Sequence, residues 1–300
     1  MKATRLSGII YALLAAIFNG TVGVFSVKLF QSGLSPNQVA FYKCSLGLII
    51  ISLIVFSFRK GKALVTFFQS KWIVVAVCAF FGFFVLYHFE TNAYVTTNVS
   101  TVVFILFGSA TVFSFLLSAI SERRFFNVKE IQAIVLSIVG LYLIFSNDGG
   151  INLSLDKGLI NAALAGLGYG LFLFLSKKLK LGSGIPQMCI LLLFGSIYLY
   201  IPVHQELKIS DISPQVTLIL ILLAILPTIG GFWCTTKALT LTSSQSVQLI
   251  ELSEPIFAII FSMVFLGQVS TISQYIGGGL VFFAIFLHEF NILPRRLKTA

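Results

Sequence analysis

The stretch Gly8-Ile-Ile-Tyr-Ala-Leu-Leu-Ala15 recurs in the second half of the chain as Gly158-Leu-Ile-Asn-Ala-Ala-Leu-Ala165. The same register matches Pro36 with Pro186. Each half contains five apolar runs that are long enough to cross a bilayer. Because five is odd, the second copy lies upside-down relative to the first, an arrangement typical of carriers that alternate access around a midplane site. Further matched pairs are Gly20 with Gly170, Lys28 with Lys178 and Ala93 with Ala238.

The composition excludes a water-soluble protein. Hydrophobic residues make up 57% of the chain, charged residues only 10%, and the mean hydropathy is +1.00, whereas a soluble domain carries about 25% charged residues. The apolar runs are about 20 residues long and do not alternate, which indicates helices and not the strands of a barrel. We predict an all-α polytopic membrane protein with ten transmembrane helices, arranged as two inverted five-helix repeats around a central cavity.

The repeat divides the chain into two predicted units, 1–147 and 148–300. The first span follows Lys2 and Arg5 as in a signal peptide, but its apolar run is too long and lacks a small-residue cleavage site. The predicted spans are 6–30, 36–58, 72–94, 96–120, 127–146, 157–178, 184–204, 215–239, 244–267 and 271–292.

The net charge of +10 reflects membrane topology and not nucleic-acid binding. With a cytoplasmic N-terminus, 15 of the 20 basic residues fall in predicted inside segments or the adjoining span ends, two in outside loops or an adjoining span end, and three (Lys28, Lys43 and Lys237) within spans. This bias follows the positive-inside rule. We therefore predict an integral protein of the bacterial cytoplasmic (inner) membrane, with both termini cytoplasmic and no nucleic-acid partner.

The ninth predicted span carries the deepest polar residues. Counting about 1.5 Å per residue, Glu254 lies near the bilayer centre and Glu251 one turn towards the cytoplasm. Gln248, Glu251 and Glu254 share one helix face because they are spaced three apart. A charge at this depth costs at least about 2.5–3.5 kcal/mol, so this face is expected to line a cavity or gate, with structural pairing as the alternative. Pro255 cannot bond the carbonyl of Glu251, which predicts a kink beside Glu254.

Four further polar side chains complete the candidate site. Lys43 lies about a third of the way into the second span, which favours a role in the cavity over contact with the headgroups. Tyr87 and Glu90 share a face near the outer end of the third span, where they form either a vestibule with Lys43 or part of an interfacial aromatic belt. Lys237, near the cytoplasmic end of the eighth span, either neutralises Glu251 or reaches the headgroups.

Motifs for other chemistries are missing from the sequence. The three His and four Cys residues do not show the spacing of a metal site. The sequence has no His-Glu-x-x-His, no Gly-x-Ser-x-Gly and no Gly-x-x-x-x-Gly-Lys-Ser/Thr for ATP. We expect no catalytic residues, no metal, no cofactor and no enzymatic activity.

With these residues placed, the chain resembles the drug/metabolite transporter superfamily, and within it the ten-helix branch built from two EamA-type repeats. The resemblance covers nearly the whole chain. It rests on the small residues in the first helix of each repeat, on Pro36 and Pro186 opening the next helix, and on Ser253-Glu254-Pro255. Lys43 stands where the family often has Arg, and Ser109-Ala110 occupies the position of Glu254-Pro255 in the first repeat.

The resemblance implies a secondary active transporter of a small organic metabolite that works by alternating access. An amino acid or related amine is the first expectation, because cavity carboxylates hold an ammonium and Lys43 a carboxylate. Export is the commoner direction in similar bacterial proteins. The alternative is an uptake carrier for S-adenosylmethionine or another nucleoside-like or quaternary-amine cation.

The other expected partners are the lipid bilayer and protons, with Glu254 or Glu251 as the coupling carboxylate. Hydropathy alone does not separate a carrier from a channel or a structural subunit, but the inverted repeat and the intramembrane carboxylates favour a carrier. We expect a monomer, with a dimer as the alternative.

Overall fold

The computed structural model describes residues 2–97, 99–146, 157–206, 213–266 and 271–289, and the regular elements in these ranges are all helical. The first half contains α1 (Lys2–Asn19), α2 (Val22–Gln31), α3 (Pro36–Ser57), α4 (Gly61–Ala79), α5 (Leu86–Thr96), α6 (Val99–Ser121) and α7 (Val128–Phe145). The second half contains α8 (Lys157–Lys178), α9 (Ile185–Val203), α10 (Pro214–Leu223), α11 (Phe232–Leu241), α12 (Ser244–Glu251), α13 (Glu254–Leu266) and α14 (Ile272–Glu289). Two π-helical segments, Phe80–Val85 and Ala224–Gly231, join α4 to α5 and α10 to α11.

The described helices confirm the predicted all-α polytopic fold. Nine helical stretches in these ranges are long and apolar enough to cross a membrane, and they coincide with nine of the ten predicted spans. The remaining span, predicted at 244–267, is divided into α12 and α13, each too short to cross a bilayer alone. The two short helices together complete the tenth crossing.

Two predicted boundaries differ from the structure. The third span was placed at 72–94, but α4 begins at Gly61, because an apolar pattern cannot detect helix that extends into a basic segment. The first span is interrupted after α1, where a side chain on Gly20 would come within 3.0 Å of Phe257. The predicted boundary between residues 147 and 148 lies outside the described residues.

Side-chain caps explain where several helices begin. Ser35 accepts a bond from the backbone of Gln38 and the Gln38 side chain bonds back to Ser35, while Pro36 occupies the first turn of α3. Asn127 and Glu130 form the same reciprocal box at the start of α7. These caps satisfy amide groups that the helix itself leaves without partners.

The two repeats are interlocked through their first helices. α1 packs against α11 and the π-helical segment before it, and α8 packs in the same way against α5 and its π-helical segment. Likewise α8 packs on α6, while α1 packs on α12 and α13. The same pairing in both halves places the centre of the molecule among α1, α5, α8, α11 and the broken ninth span.

Small residues allow these close approaches, as their spacing in the sequence predicts. A Cβ on Gly166 of α8 would lie 1.9 Å from Oγ of Ser109 on α6. In the pair α7 and α14, a Cβ on Gly277 would lie 2.5 Å from the carbonyl oxygen of Gly140. Neither position has room for a side chain, so glycine sets the distance between the helices.

The π-helical segment before α11 has an identifiable cause. Pro227 has no amide hydrogen, so it cannot bond the carbonyl of Leu223 four residues earlier. The hydroxyl of Thr228 donates to that carbonyl instead, at 2.9 Å. The sequence predicts a bend at Pro227, and the structure shows that the bend takes the form of a widened turn.

Polar contacts join the chain segments at the two ends of the bundle. At one end, Arg5 pairs with Glu289 at 3.0 Å, which brings the first and last helices together. At the other end, Asn37 and Gln38 bond to Glu206 after α9. The basic segments lie at the end that holds Arg5, as the charge distribution in the sequence predicts.

Candidate functional site

The ninth span breaks completely at Leu252 and Ser253, between the two carboxylates of the site, Glu251 and Glu254. The sequence predicts a kink caused by Pro255, but Pro255 lies in the first turn of α13, where its missing amide hydrogen costs no helical bond. The Ser253 hydroxyl donates to the carbonyl of Ile250 at 2.7 Å and so satisfies one backbone group that the break leaves free.

Glu251 ends α12 and is completely buried, with 0% exposure. The Tyr169 hydroxyl on α8 donates to its Oε2, and the Thr235 hydroxyl on α11 donates to its Oε1 at 2.6 Å. Both oxygens of this carboxylate therefore have partners from other helices. Hydroxyl donors offset the cost of burying a charged group.

Glu254 begins α13 and is partly exposed. Its side chain bonds to Asn19 at the end of α1 and interacts electrostatically with Glu90, Glu251 and Lys43. The break therefore separates one completely buried carboxylate from one that is partly exposed.

Lys43 is 5% exposed, and its Nζ lies 3.3 Å from the centre of the Tyr87 ring. This geometry is a cation–π contact, which stabilises a desolvated ammonium by about 2 kcal/mol. The same ammonium interacts electrostatically with Glu90 and Glu254. The second, third and ninth spans thus bring one cation and two anions together.

An aromatic cluster that the sequence analysis did not single out packs beside these charges. Phe83 lies 4.5 Å from Phe232 and 5.6 Å from Tyr87, measured between ring centres. Phe232 also contacts Phe172, which stacks on Tyr169. The chain contains 31 Phe residues, so composition could not identify the few that face the centre.

Gln248 belongs to a buried polar seam between α12 and α6. It is 0% exposed, and its Nε2 donates to the Thr111 hydroxyl at 3.3 Å, while its Oε1 has no partner. At least one helical turn closer to the end of the bundle that holds Arg5 and the basic segments (the basic end), the hydroxyl oxygens of Ser118 and Ser244 lie 3.3 Å apart. These contacts join α12 to α6 between Glu251 and the basic end.

Two polar residues lie apart from this group. Lys237 is half-buried and forms no ion pair with Glu251 in the described structure, so the predicted neutralisation is not observed. His88 stacks on Phe84 and, with Asn92 and Lys157, lines a separate cleft of about 240 Å³. Neither side chain is among the electrostatic partners of Glu254 or Lys43 in the described structure, so both lie outside this candidate site.

The repeat itself identifies two residues that the sequence analysis missed. The register that matches Gly8 with Gly158 pairs Asn19 with Tyr169. These two positions, one in each repeat, each hold one carboxylate of the broken span. The signal was present in the repeat, although the two residue types differ.

The described residues contain no group of three His, Cys, Asp or Glu side chains that could hold a metal ion. The four cysteines, Cys44, Cys78, Cys189 and Cys234, are free and buried. The polar groups at the centre are instead suited to binding a charged organic molecule through hydrogen bonds and ion pairs.

Comparison with known proteins agrees with this architecture. An uncharacterized transporter of Clostridium kluyveri is 25% identical over 284 residues, covering 90% of this chain and 89% of that protein. The uncharacterized transporter YdfC of Bacillus subtilis is 23% identical over 249 residues, covering 82% and 79%. A crystal structure that is 12% identical superposes with a TM-score of 0.79 and covers 98% of this chain and 100% of that one, which shows a shared fold.

The model of the EamA-like transporter family matches residues 6–146 and again 156–289, one match for each repeat. Two matches in tandem account for the ten spans and for the interlocked packing of the two halves. The chain therefore belongs to the EamA-like transporter family of the drug/metabolite transporter superfamily and is a membrane transporter.

Proposed function

We propose that this transporter is a secondary active carrier of an amino acid or a related amine, moved by alternating access. The observation that supports this substrate class is the electrostatic interaction of the Lys43 ammonium with the carboxylates of Glu90 and Glu254, which lie near enough to act on it. An amino acid carries both charges. Its ammonium pairs with Glu254 and its carboxylate with Lys43, so each charge replaces water with an opposite charge.

The charges of the site favour an amine over a simple anion. Lys43, Glu90 and Glu254 in their ionised forms sum to one negative charge, so a cationic amine restores neutrality, a zwitterionic amino acid adds no net charge, and a simple anion adds a second negative charge at a depth where charge is costly. Asn19 is placed to orient the Glu254 carboxylate towards this ligand. The aromatic rings of Tyr87 and Phe232 pack edge to face beside these charges, with ring centres 6.0 Å apart.

We assign proton coupling to Glu251 and substrate binding to Glu254. Both oxygens of Glu251 already accept hydroxyl bonds and the residue is completely buried, whereas Glu254 is partly exposed and so is the more accessible carboxylate for a ligand ammonium. Its complete burial makes its charge state sensitive to the opening of the bundle. Export is the direction we propose, with the protonation of Glu251 alternating as the site faces each side.

A nucleoside-like or quaternary-amine cation, taken up into the cell, is the second candidate. The observation that favours it is the cluster of Phe83, Tyr87 and Phe232, whose ring centres lie 4.5–6.0 Å apart. Aromatic faces beside a carboxylate are the usual surroundings of a bound quaternary ammonium.

The first experiment measures the melting temperature of the purified protein with amino acids, nucleosides, S-adenosylmethionine and quaternary amines. A ligand that binds the folded state raises the melting temperature by mass action. We expect the rise to disappear in Glu254→Gln and to persist in Glu122→Gln, the matched control, since Glu122 is exposed and pairs with Arg124. A response to zwitterionic amino acids supports the first candidate, and a response to quaternary cations alone supports the second.

The second experiment measures counterflow of the responding ligand in liposomes, with and without a proton gradient. Saturable counterflow distinguishes a carrier from a channel. We expect Glu251→Gln to bind ligand and exchange it, but to lose its response to the proton gradient. Retention of gradient-driven transport in Glu251→Gln would assign coupling to another group.

A further inference from the structure

A second cleft, of about 410 Å³, lies at the basic end of the molecule and away from the central site. It is bounded by the end of α3, the start of α4 and one side of α9. Its volume falls within the range of small-molecule binding sites in proteins. The lining residues that matter here are Ser52, Phe56, Arg59, Lys62, Leu64 and Cys189.

The lining of this basic cleft changes from charged to apolar with depth. We call the part lined by Arg59 and Lys62, where α3 ends and α4 begins, the mouth of the cleft, and the part lined by Ser52 and Cys189, whose Oγ and Sγ lie 3.8 Å apart, its floor. Ser52 precedes Arg59 by two helical turns, or about 10 Å along the axis of α3. Apart from the Ser52 hydroxyl and the Cys189 thiol, the walls between mouth and floor are carbon.

The cleft opens towards lipid. Leu53, Phe56 and Phe58 on the same stretch of α3 are exposed by 61%, 85% and 68%. In a protein of this family such a surface faces the hydrocarbon of the bilayer. A ligand of this cleft therefore has to present apolar groups to the membrane as well as charge to Arg59.

The two cations at the mouth have no internal counter-charge. Neither Arg59 nor Lys62 forms an ion pair with another residue in the described part of the chain, and the cleft has no acidic lining. Two other arginines at this end, Arg5 and Arg124, are by contrast each paired with glutamate. The mouth therefore presents a free pair of positive charges at the level where phosphate headgroups lie.

We propose that this basic cleft binds an anionic phospholipid of the cytoplasmic leaflet. The phosphate lies between Arg59 and Lys62, and an acyl chain runs along Phe56 and Leu64 towards the floor. Basic pockets between helices on the cytoplasmic side attract anionic headgroups, and cations held near a membrane surface favour anionic over zwitterionic lipid. A bound lipid joins α3, which carries Lys43, to α4 and α9 and stabilises their packing.

The test adds phosphatidylglycerol, phosphatidylcholine or inorganic phosphate to the full-length protein in mild detergent. The readouts are the melting temperature and the lipid retained in native mass spectrometry. We expect phosphatidylglycerol to raise the melting temperature where the other two do not. The double variant Arg59→Gln/Lys62→Gln is expected to need at least about tenfold more phosphatidylglycerol for the same rise.

Two further variants make the result specific. Arg123→Gln is the matched control, because Arg123 and Arg59 are both exposed arginines with φ of 50° that follow a helix. It should respond like the wild type. Ser52→Phe keeps both cations but fills the floor, so it should lose the retained lipid. Any of three outcomes would overturn the proposal. The first is an unchanged response to phosphatidylglycerol in both the double variant and Ser52→Phe. The others are a rise in melting temperature with phosphatidylcholine equal to that with phosphatidylglycerol, or a full rise with phosphate alone. The result does not depend on the transported substrate, since none is added.

Discussion

At the scale of single residues, the central site depends on donors that come from distant parts of the chain. Thr235→Val keeps the shape of the side chain but leaves Oε1 of the buried Glu251 without its 2.6 Å donor. We expect the free energy of unfolding to fall by about 1–3 kcal/mol, the usual cost of an unsatisfied buried group. Thermal denaturation of the purified protein measures the change. Thr240→Val is the control, because Thr240 is exposed on the same helix and bonds only to the carbonyl of Lys237. Equal losses in the two variants would contradict a special role for the Glu251 contact.

At the scale of helices, glycine positions decide how closely neighbours approach. Gly277→Ala brings a Cβ within 2.5 Å of the Gly140 carbonyl and 2.8 Å of the Ile144 amide, so α7 and α14 must separate. We expect a loss of about 1–3 kcal/mol of stability. Gly279→Ala, two residues along α14 where nothing lies within 4 Å, should be neutral or stabilise by up to about 1 kcal/mol. Melting temperatures of the two variants measure this difference. A loss in Gly279→Ala as large as in Gly277→Ala would show that helix flexibility, and not packing, governs the effect.

At the scale of the whole molecule, the prediction concerns orientation. The ion pair between Arg5 and Glu289 places the start of the first helix and the end of the last helix at the same end of the bundle. The excess of basic residues in the segments at this end predicts that it is cytoplasmic. Green fluorescent protein fused after Ala300 should therefore fluoresce, and alkaline phosphatase fused after Lys208 should be active. Alkaline phosphatase fused after Ala300 serves as the control and should be inactive. The opposite pattern at both positions would mean that the bundle is inserted upside-down.

The whole-molecule features that the sequence determined by itself are those that depend on composition and on order along the chain. A hydrophobic content of 57% excludes a water-soluble protein. The match between Gly8–Ala15 and Gly158–Ala165 divides the ten predicted spans into two repeats of five. Both features follow from solvent and chain connectivity, which need no knowledge of contacts. The polar residues Lys43, Glu251 and Glu254 could be identified for the same reason, since charge is rare at membrane depth.

Only the tertiary structure decided which of these residues meet. Hydropathy predicts how deep a residue lies in the membrane but not which way its side chain points around the helix axis. It therefore could not predict that Lys43 contacts Tyr87 and interacts with Glu254, whereas His88 stacks on Phe84, apart from that site. Nor could it find Asn19 or Tyr169, which are common residues until packing brings them to a carboxylate. Nor could hydropathy show the complete break of the ninth span, because a helix in lipid gives up its own backbone bonds only where other groups satisfy its backbone, as the Ser253 hydroxyl does for the carbonyl of Ile250.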